Sequence, residues 1–268
     1  MLEKETPQIS TVLLSWNRYY LLKETIDSYL DTISVPFEMI IVDNGSDDGS
    51  QEFIKRICQE YSNCSSILLS ENKGGAALNL GLQEAKADFL HVSENDLIYK
   101  PDWDQKMLKA FEKFPRLGQL SLYSPFPQKE LGETCDVRSA YKIIRDDCAI
   151  YVTDINIGTS SMFRRSIWDR GVRWRNTKFG TYKFPHDSAF SKDVMKCGYL
   201  VAWNDEYLVI NCGHQVDELR ENLAYYIKNY KSKWRGFKKF KERLRRFGYR
   251  LERARNTESG YKIVPIDE

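Results

Sequence analysis

Four apolar segments in the first hundred residues each end in a cluster of polar residues, and the first three lead into helical periodicity. "ISTVLLS", "FEMIIVDNGS", "SSILLS" and "DFLHVS" read as strands rich in β-branched and apolar residues. Between them, "RYYLLKETIDSYLDT" sets Leu22, Ile26, Tyr29, Leu30 and Ile33 at helical spacing, and "QEFIKRICQEY" sets Phe53, Ile54, Ile57 and Tyr61 on one face. "GAALNLGLQEAKA" is a shorter helix. Such alternation requires crossover connections, so it implies an α/β fold with a mostly parallel sheet covered by helices. Ligands of these sheets bind beyond the carboxyl ends of the strands. The residues after each strand, Ser15 to Arg18, Asp43 to Ser46, Asn72 to Gly75 and Glu94 to Asp96, therefore gather on one rim.

After Pro101 the pattern loosens. "DWDQKMLKAFEKF" reads as a helix and "LGQLSLYSPF" as a strand, and the polar segment from Pro127 to Asp147 reads as a loop or lid. "AIYVTDINIGTSSMFRRSIWDRG" supplies strands and a short helix, "HDSAFSKDVMKCG" a helix, and "YLVAWNDEYLVINCGH" apolar strands. At 268 residues the chain is long enough for one large α/β domain or for a domain plus an appendage. It contains no apolar run of about 18 residues, the length of a membrane span. "MLEKETPQIS" lacks the apolar stretch of a secretory signal. Six cysteines without a C-x-x-C pair then read as reduced thiols of a cytoplasmic protein, and with three histidines they make a poor zinc site.

Two acids at the rim can hold a divalent cation. Mg²⁺ and Mn²⁺ favour oxygen ligands, and Mg²⁺ binds through one or two carboxylates plus substrate phosphates. Glu94 and Asp96 lie two positions apart and point the same way in extended geometry. The plainer reading of an isolated E-x-D is a solvated turn. Asp43 can accept hydrogen bonds from a base or ribose, or it can shape the "DNGSDDGS" turn as such residues commonly do. "NKGG", before a helix, can approach phosphates or a sugar with backbone N–H groups. The spacing of a Walker loop is missing, and no G-x-G-x-x-G follows the first strand, which argues against a dinucleotide dehydrogenase.

In order along the chain, "TVLLSWNRYYLLKETIDSYL", "FEMIIVDNGSDDGSQEFI", "NKGGAALNLGLQEAKADFLHVSEND", "GTSSMFRRSIWDRGV" and "HDSAFSKDVMKCGYLVAWNDEYLVINCGH" resemble the blocks of family 2 glycosyltransferases. The resemblance runs from about Ser10 to His214. It implies a GT-A fold over residues 1–218 and inverting transfer of a sugar from a nucleoside-diphosphate donor, UDP by expectation, with Mn²⁺ or Mg²⁺. Glu94-Asn95-Asp96 stands where the family has D-x-D. By resemblance Asp96 binds the metal, and Glu94, a departure from Asp, binds the ribose or assists the metal. Asp43 matches the acid on the nucleobase. Ser15, Asn17 and Arg18 match the donor loop, which Asn72, Lys73, Gly74 and Asn95 extend. Asp187 matches the catalytic base, with His186 before it in place of the usual acid. Such a base takes the acceptor proton, an effect of about 10²- to 10⁴-fold. As an alternative, Asp187 caps a helix. His214 matches a histidine that completes the metal or diphosphate site in some members, and a packed histidine is the alternative.

Residues 219–268 form a basic extension. From Arg220 to Asn256 there are fourteen Lys/Arg and three Glu, a net of +11 in a chain of overall charge +2, which leaves −9 on the rest. Tyr226, Tyr230, Trp234, Phe237, Phe240, Leu244, Phe247 and Leu251 repeat at three or four residues, one aromatic stripe along a helix. Gly236 and Gly248 are places where such a helix breaks or bends. The stripe suits an anionic membrane surface, peripheral on its inner face, or the acidic body, or a second copy of the chain. Nucleic acid is the weaker reading. The acceptor stays open among a glycan, a lipid-linked glycan and a polymer such as nucleic acid or protein. The two departures, Glu94 and His186, also motivate a non-catalytic sugar-nucleotide-binding or scaffold protein with a decayed site.

Overall fold

The computed structural model describes residues 6–126, 128, 140–155, 157–179, 182–232 and 236–266, with the backbone alone for 177–179, 182–185, 214 and 232. Strand β1 (Ile9–Ser15) pairs in parallel with β2 (Phe37–Asp43) on one side and β4 (Phe89–Glu94) on the other. β2 pairs in parallel with β3 (Cys64–Leu68). Register sets Ser15 beside Asp43 and Leu14 beside Glu94, so the polar residues that follow emerge at one rim. Helices α1 (Tyr19–Thr32), α2 (Ser50–Glu60) and α3 (Leu78–Glu84) make the crossovers, with a 3₁₀ turn at Gly74–Ala77 before α3. α3 lies flush on the sheet at Gly81, where a Cβ would meet the Val12 side chain at 2.5 Å.

Beyond β4 the sheet becomes mixed. β9 (Ser161–Arg164) inserts antiparallel between β4 and β6 (Leu117–Ser121). β7 (Tyr141–Arg145), β8 (Cys148–Thr153) and β12 (Leu200–Asn204) complete the order β3-β2-β1-β4-β9-β6-β12-β8-β7. Helices α4 (Trp103–Lys113), α5 (Arg165–Asp169) and α6 (Asp187–Lys196) flank this half. Two ribbons stand apart, β5 (Leu97–Tyr99) with β13 (Val209–Asn211), and β10 (Asn176–Phe179) with β11 (Tyr182–Pro185). The helix-flanked mixed sheet expected from the sequence is present. His91 is fully buried and pushed down to about 3 by that burial, so it is a neutral core residue between Thr11 and Tyr99.

The segment from Pro127 to Asp147 is not all loop. Tyr141–Arg145 is the edge strand β7, joined to β8 by a turn with Asp146 at φ +52°. An edge strand with little to bury lacks the apolar alternation by which strands are recognised, and β7 is exposed along most of its length. Residues 127 and 129–139 of that segment lie outside those described.

The basic extension differs from one continuous helix. After α7 (Val216–Glu221) come α8 (Leu223–Ser232) and α9 (Gly236–Arg246), then a hairpin of β14 (Tyr249–Arg253) and β15 (Tyr261–Pro265). Gly248, at φ +87°, lies between α9 and β14. The aromatic stripe folds in on itself: Leu219, Leu223, Tyr226, Ile227, Phe240, Leu244 and Ile263 form a separate buried cluster. The Tyr230 and Phe240 rings stack, with centroids 4.6 Å apart. The apolar side chains of this cluster are packed on one another rather than set out along one face of a single helix. Trp234 lies outside the described residues. Among the described residues no helix is long and apolar enough to cross a membrane.

Phe240 is fully buried at the centre of that cluster. Phe240→Ala is expected to cost about 3–5 kcal/mol locally. Hydrogen exchange should then show faster amide exchange across 216–266 while β1, β2 and β4 keep their protection.

Candidate functional site

The rim is built first by a strained turn. Asn17 and Arg18 both adopt left-handed backbone geometry, at φ +54° and +62°. For non-glycine residues such geometry costs on the order of 1–3 kcal/mol each, so neighbouring groups must hold it. The Asn17 N–H donates to Ser46 Oγ at 2.7 Å, Asn17 Oδ1 accepts from the Asp47 N–H at 3.0 Å, and Asn95 Nδ2 donates to the Asn17 carbonyl at 2.8 Å. Arg18 stands at the N-cap of α1 without capping it. Its guanidinium reaches across the rim instead, Nη1 to Asp96 Oδ2 at 2.8 Å and Nη2 to Asn95 Oδ1 at 2.6 Å. The Arg18 side chain is 17% exposed and that of Asp96 9%.

Asp43 is fully buried, and its carboxylate is directed into its own turn. Oδ1 accepts from the Gly45 and Ser46 N–H groups and from Gln51 Nε2, at 3.1, 2.9 and 2.8 Å, and Oδ2 accepts from Ser46 Oγ at 2.6 Å. Of the two readings of this acid, these bonds give it the turn-shaping one. The "NKGG" loop also spends its amides internally. The Lys73 N–H goes to Asn44 Oδ1 at 3.1 Å and the Gly74 N–H to Asn72 Oδ1 at 2.7 Å, while Asn176 Nδ2 donates to the Lys73 carbonyl at 2.8 Å. These bonds tie the loop, which presents the exposed Lys73 side chain.

At the end of β4 the acids meet. Ser160 Oγ donates to Glu94 Oε2 at 3.2 Å, and Thr159 Oγ1 donates to Asp187 Oδ1 at 2.8 Å. Asp187 is the first residue of α6 and His186 takes the cap position, so the capping alternative for Asp187 is not adopted. Burial pushes the Asp187 carboxyl up to about 6 against the hydrogen bond from Thr159. Burial, then repulsion from Asp96 and Asp187, pushes Glu94 up to about 8, with Arg18 opposing. The three carboxyls therefore share one field.

Among the described residues, Ser15 Oγ, Arg18 Nε and Asp96 Oδ1 are buried at this rim without a hydrogen-bond partner. A buried carboxylate oxygen left unpaired is costly, so Asp96 Oδ1 suits a cation that arrives with its ligand. Among the described residues no three His, Cys, Asp or Glu side chains converge as a closed metal cage. A divalent ion held by one or two carboxylates and by phosphates requires none. His214 follows Gly213 in a 3₁₀ turn packed on Asp96, but its side chain lies outside the described residues.

Thr159 and Ser160 carry no signal in the sequence that marks them as site residues. Antiparallel pairing of β9 with β4, Val92 beside Ser161, brings both hydroxyls to the acids. Gly213 was also missed. A Cβ there would lie 2.2 Å from Asp96 Oδ2, so only glycine lets that turn close on the ion pair.

Residues 10–171 match the family described as Glycosyl transferase family 2. Among curated proteins, poly-beta-1,6-N-acetyl-D-glucosamine synthase of Staphylococcus aureus (strain COL) is 30% identical over 118 residues, 44% of this chain and 28% of that protein. The putative glycosyltransferase EpsH of Bacillus subtilis (strain 168) is 29% identical over 110 residues, 40% of this chain and 31% of EpsH. The aligned part is thus under a third of the length of each. Among solved structures, mannosyltransferase PcManGT from Pyrobaculum calidifontis, in complex with GDP-Man and Mn²⁺, matches with a TM-score of 0.60 at 17% identity, over 85% of this chain and 62% of that one. S. aureus TarS 1–349 in complex with UDP-GlcNAc matches with a TM-score of 0.55 at 13% identity, over 90% and 72%. At such identities the likeness is one of fold, and the fold is GT-A.

The raised carboxyls have a stability consequence. Glu94 and Asp187 bind protons more tightly in the folded state than at their usual values of 4.5 and 3.8. The folded state then holds more protons than the unfolded one, and stability falls as pH rises, from about 4 to 6 for Asp187 and from about 4.5 to 8 for Glu94. The slope is at most about 1.4 kcal/mol per pH unit per group. Glu94→Gln should flatten the upper part of that decline, as read by urea unfolding at pH 5 and pH 8. An unchanged slope would remove Glu94 from the account.

Proposed function

The chain belongs to glycosyl transferase family 2, and we propose that it moves a sugar from a UDP-linked donor to an acceptor hydroxyl, with inversion at the anomeric carbon. The observation that carries this reading is the orphaned Asp96 Oδ1 on the same rim as a second buried acid, Asp187, with Arg18 between strand ends. UDP is the donor nucleotide of this reading; of the fold relatives, TarS is in complex with UDP-GlcNAc and PcManGT with GDP-Man, so both support a nucleoside-diphosphate sugar.

Asp96, with Glu94 beside it, would hold Mn²⁺ or Mg²⁺ in this reading, and the raised Glu94 carboxyl also suits a hydrogen bond to a ribose hydroxyl. When bound, the cation neutralises charge on the departing diphosphate as a Lewis acid. The chain's own groups do the rest. Arg18 offers its unpartnered Nε and its charge to the same anion, and Lys73 offers a second cation from its tied loop. Asp43 shapes the turn whose Ser46 supports Asn17. Asp187, titrating near 6, is ionised at neutral pH yet basic enough to take the acceptor proton. Thr159 fixes which carboxylate oxygen faces the acceptor.

Donor hydrolysis or transfer should require Mn²⁺ or Mg²⁺ and stop in EDTA, and Asp96→Ala should abolish it with the fold intact by circular dichroism. Full turnover in either case would sink the metal assignment. Asp187→Asn should leave UDP affinity within about twofold but lower transfer by about 10²- to 10⁴-fold. Unchanged transfer would remove Asp187 as the base.

A further inference from the structure

The basic extension begins at the wall of this site. Cys212 donates its N–H to the Asp96 carbonyl at 3.0 Å, and Gly213 packs against the Asp96 carboxylate and the Arg18 guanidinium. Only Gln215 separates that 3₁₀ turn from α7. On α7, Glu218 is buried at 9% exposure, and its Oε1 accepts from Tyr226 of α8 at 2.8 Å and from Tyr20 at the start of α1. Glu218 Oε2 accepts from Asn222 Nδ2 at 3.1 Å. Tyr225 sets its ring 6.0 Å from the Arg18 guanidinium carbon, and the Tyr226 ring meets Tyr225 edge-on with centroids 5.3 Å apart. Arg18 thus has Asn95 and Asp96 of the catalytic body on one side and the Tyr225 ring of the extension, backed by Tyr226, on the other.

We infer that the C-terminal unit is a positioning element of the donor site, in which Glu218, Tyr225 and Tyr226 seat Arg18 on Asp96 as a built-in counter-charge. The inference rests on the transferase reading above for the identity of the anion that Arg18 serves. The physical consequence is a trade. A guanidinium 2.8 Å from Asp96 opposes a divalent cation that comes alone, since like charges repel strongly at partly buried sites. The same guanidinium attracts a diphosphate, with Nε still unpaired. Loosening the aromatic wall lets Arg18 swing away, so affinity for the metal alone rises while affinity for a metal-free diphosphate falls. A variant that merely weakens the fold lowers both.

Calorimetry on the full chain separates these outcomes. Mn²⁺ alone, UDP in EDTA and inorganic pyrophosphate in EDTA are titrated into the wild type, Tyr225→Leu, Glu218→Gln and Arg18→Gln. Tyr225→Leu keeps bulk and Glu218→Gln keeps shape, and thermal unfolding checks that each variant is folded. The tail variants should bind pyrophosphate and UDP about 3- to 10-fold more weakly, the scale of a cation–π contact. Their Mn²⁺ affinity should rise by about 2-fold or more, and Arg18→Gln should shift both further in the same directions. Tail variants in which the two affinities move together, or do not move, overturn the inference. A wild type that binds pyrophosphate but not UDP would refute the nucleotide reading while the variants still decide the positioning role. A wild type that binds neither pyrophosphate nor Mn²⁺ overturns both.

Discussion

The guanidinium of Arg18 is the joint on which the rim depends. It ties the exit of β1 to the end of β4 through Asn95 and Asp96, and it carries the contact with the extension. A pair buried this deeply is weak evidence for stability, because taking both charges from water offsets most of their attraction. Two consecutive left-handed residues, Asn17 and Arg18, add backbone strain. The arrangement makes more sense as orientation than as stabilisation. It occupies one oxygen of Asp96 and leaves the other without a hydrogen-bond partner among the described residues.

The insertion of β9 accounts for the rest of the site. A purely parallel sheet would deliver the ends of β1, β2 and β4 to the rim and leave their acids facing solvent. The antiparallel β9 runs back along β4, so the two residues just before it, Thr159 and Ser160, meet Asp187 and Glu94. Each acid then receives one hydroxyl donor and differs in what crowds it. Glu94 faces both other carboxyls and is pushed furthest, whereas Asp187 is shifted mainly by burial and stays within reach of neutral pH. Groups whose environments drive them apart in this way are suited to different tasks within one reaction.

Much of this was legible from residues. The strands from Ile9 to Glu94 bury one or both faces, so their apolar runs and polar ends could be read directly, and the rim followed from topology. Arg18, Glu94, Asn95 and Asp96 meet because β1 and β4 are adjacent, whereas Asp187, at the start of α6, joins them through Thr159 just before β9. What failed to show had a physical reason. β7 is an edge strand with little to bury, so it looked like loop. The amides of "NKGG" find partners that no periodicity signals: Asn72 lies two residues before Gly74, and Asn44 arrives from the neighbouring strand end, 29 residues before Lys73. For Asp43 the sequence leaves two roles open, because a turn-forming acid and a base-binding acid are written with the same letters. The role of Gly213 lies in a contact with residues more than a hundred positions away.

The extension shows why an aromatic repeat does not name its own partner. A stripe at three- and four-residue spacing satisfies a membrane, a neighbouring helix and a second copy of the chain equally well. What decides among them is whether the same chain offers further apolar surface to close against. Here it does: Leu219 and Leu223 come before the stripe, and Ile263 returns on a hairpin after it. Once the rings are inside, the cations are left outside, with Lys238, Lys239, Lys241, Arg245 and Arg246 exposed along α9 around the single acid Glu242. The concentration of charge in the extension is therefore a consequence of how it solves its packing, with aromatics inward and lysines and arginines on what remains. Its attachment through Glu218 and Tyr225 gives that small unit a place at the catalytic rim.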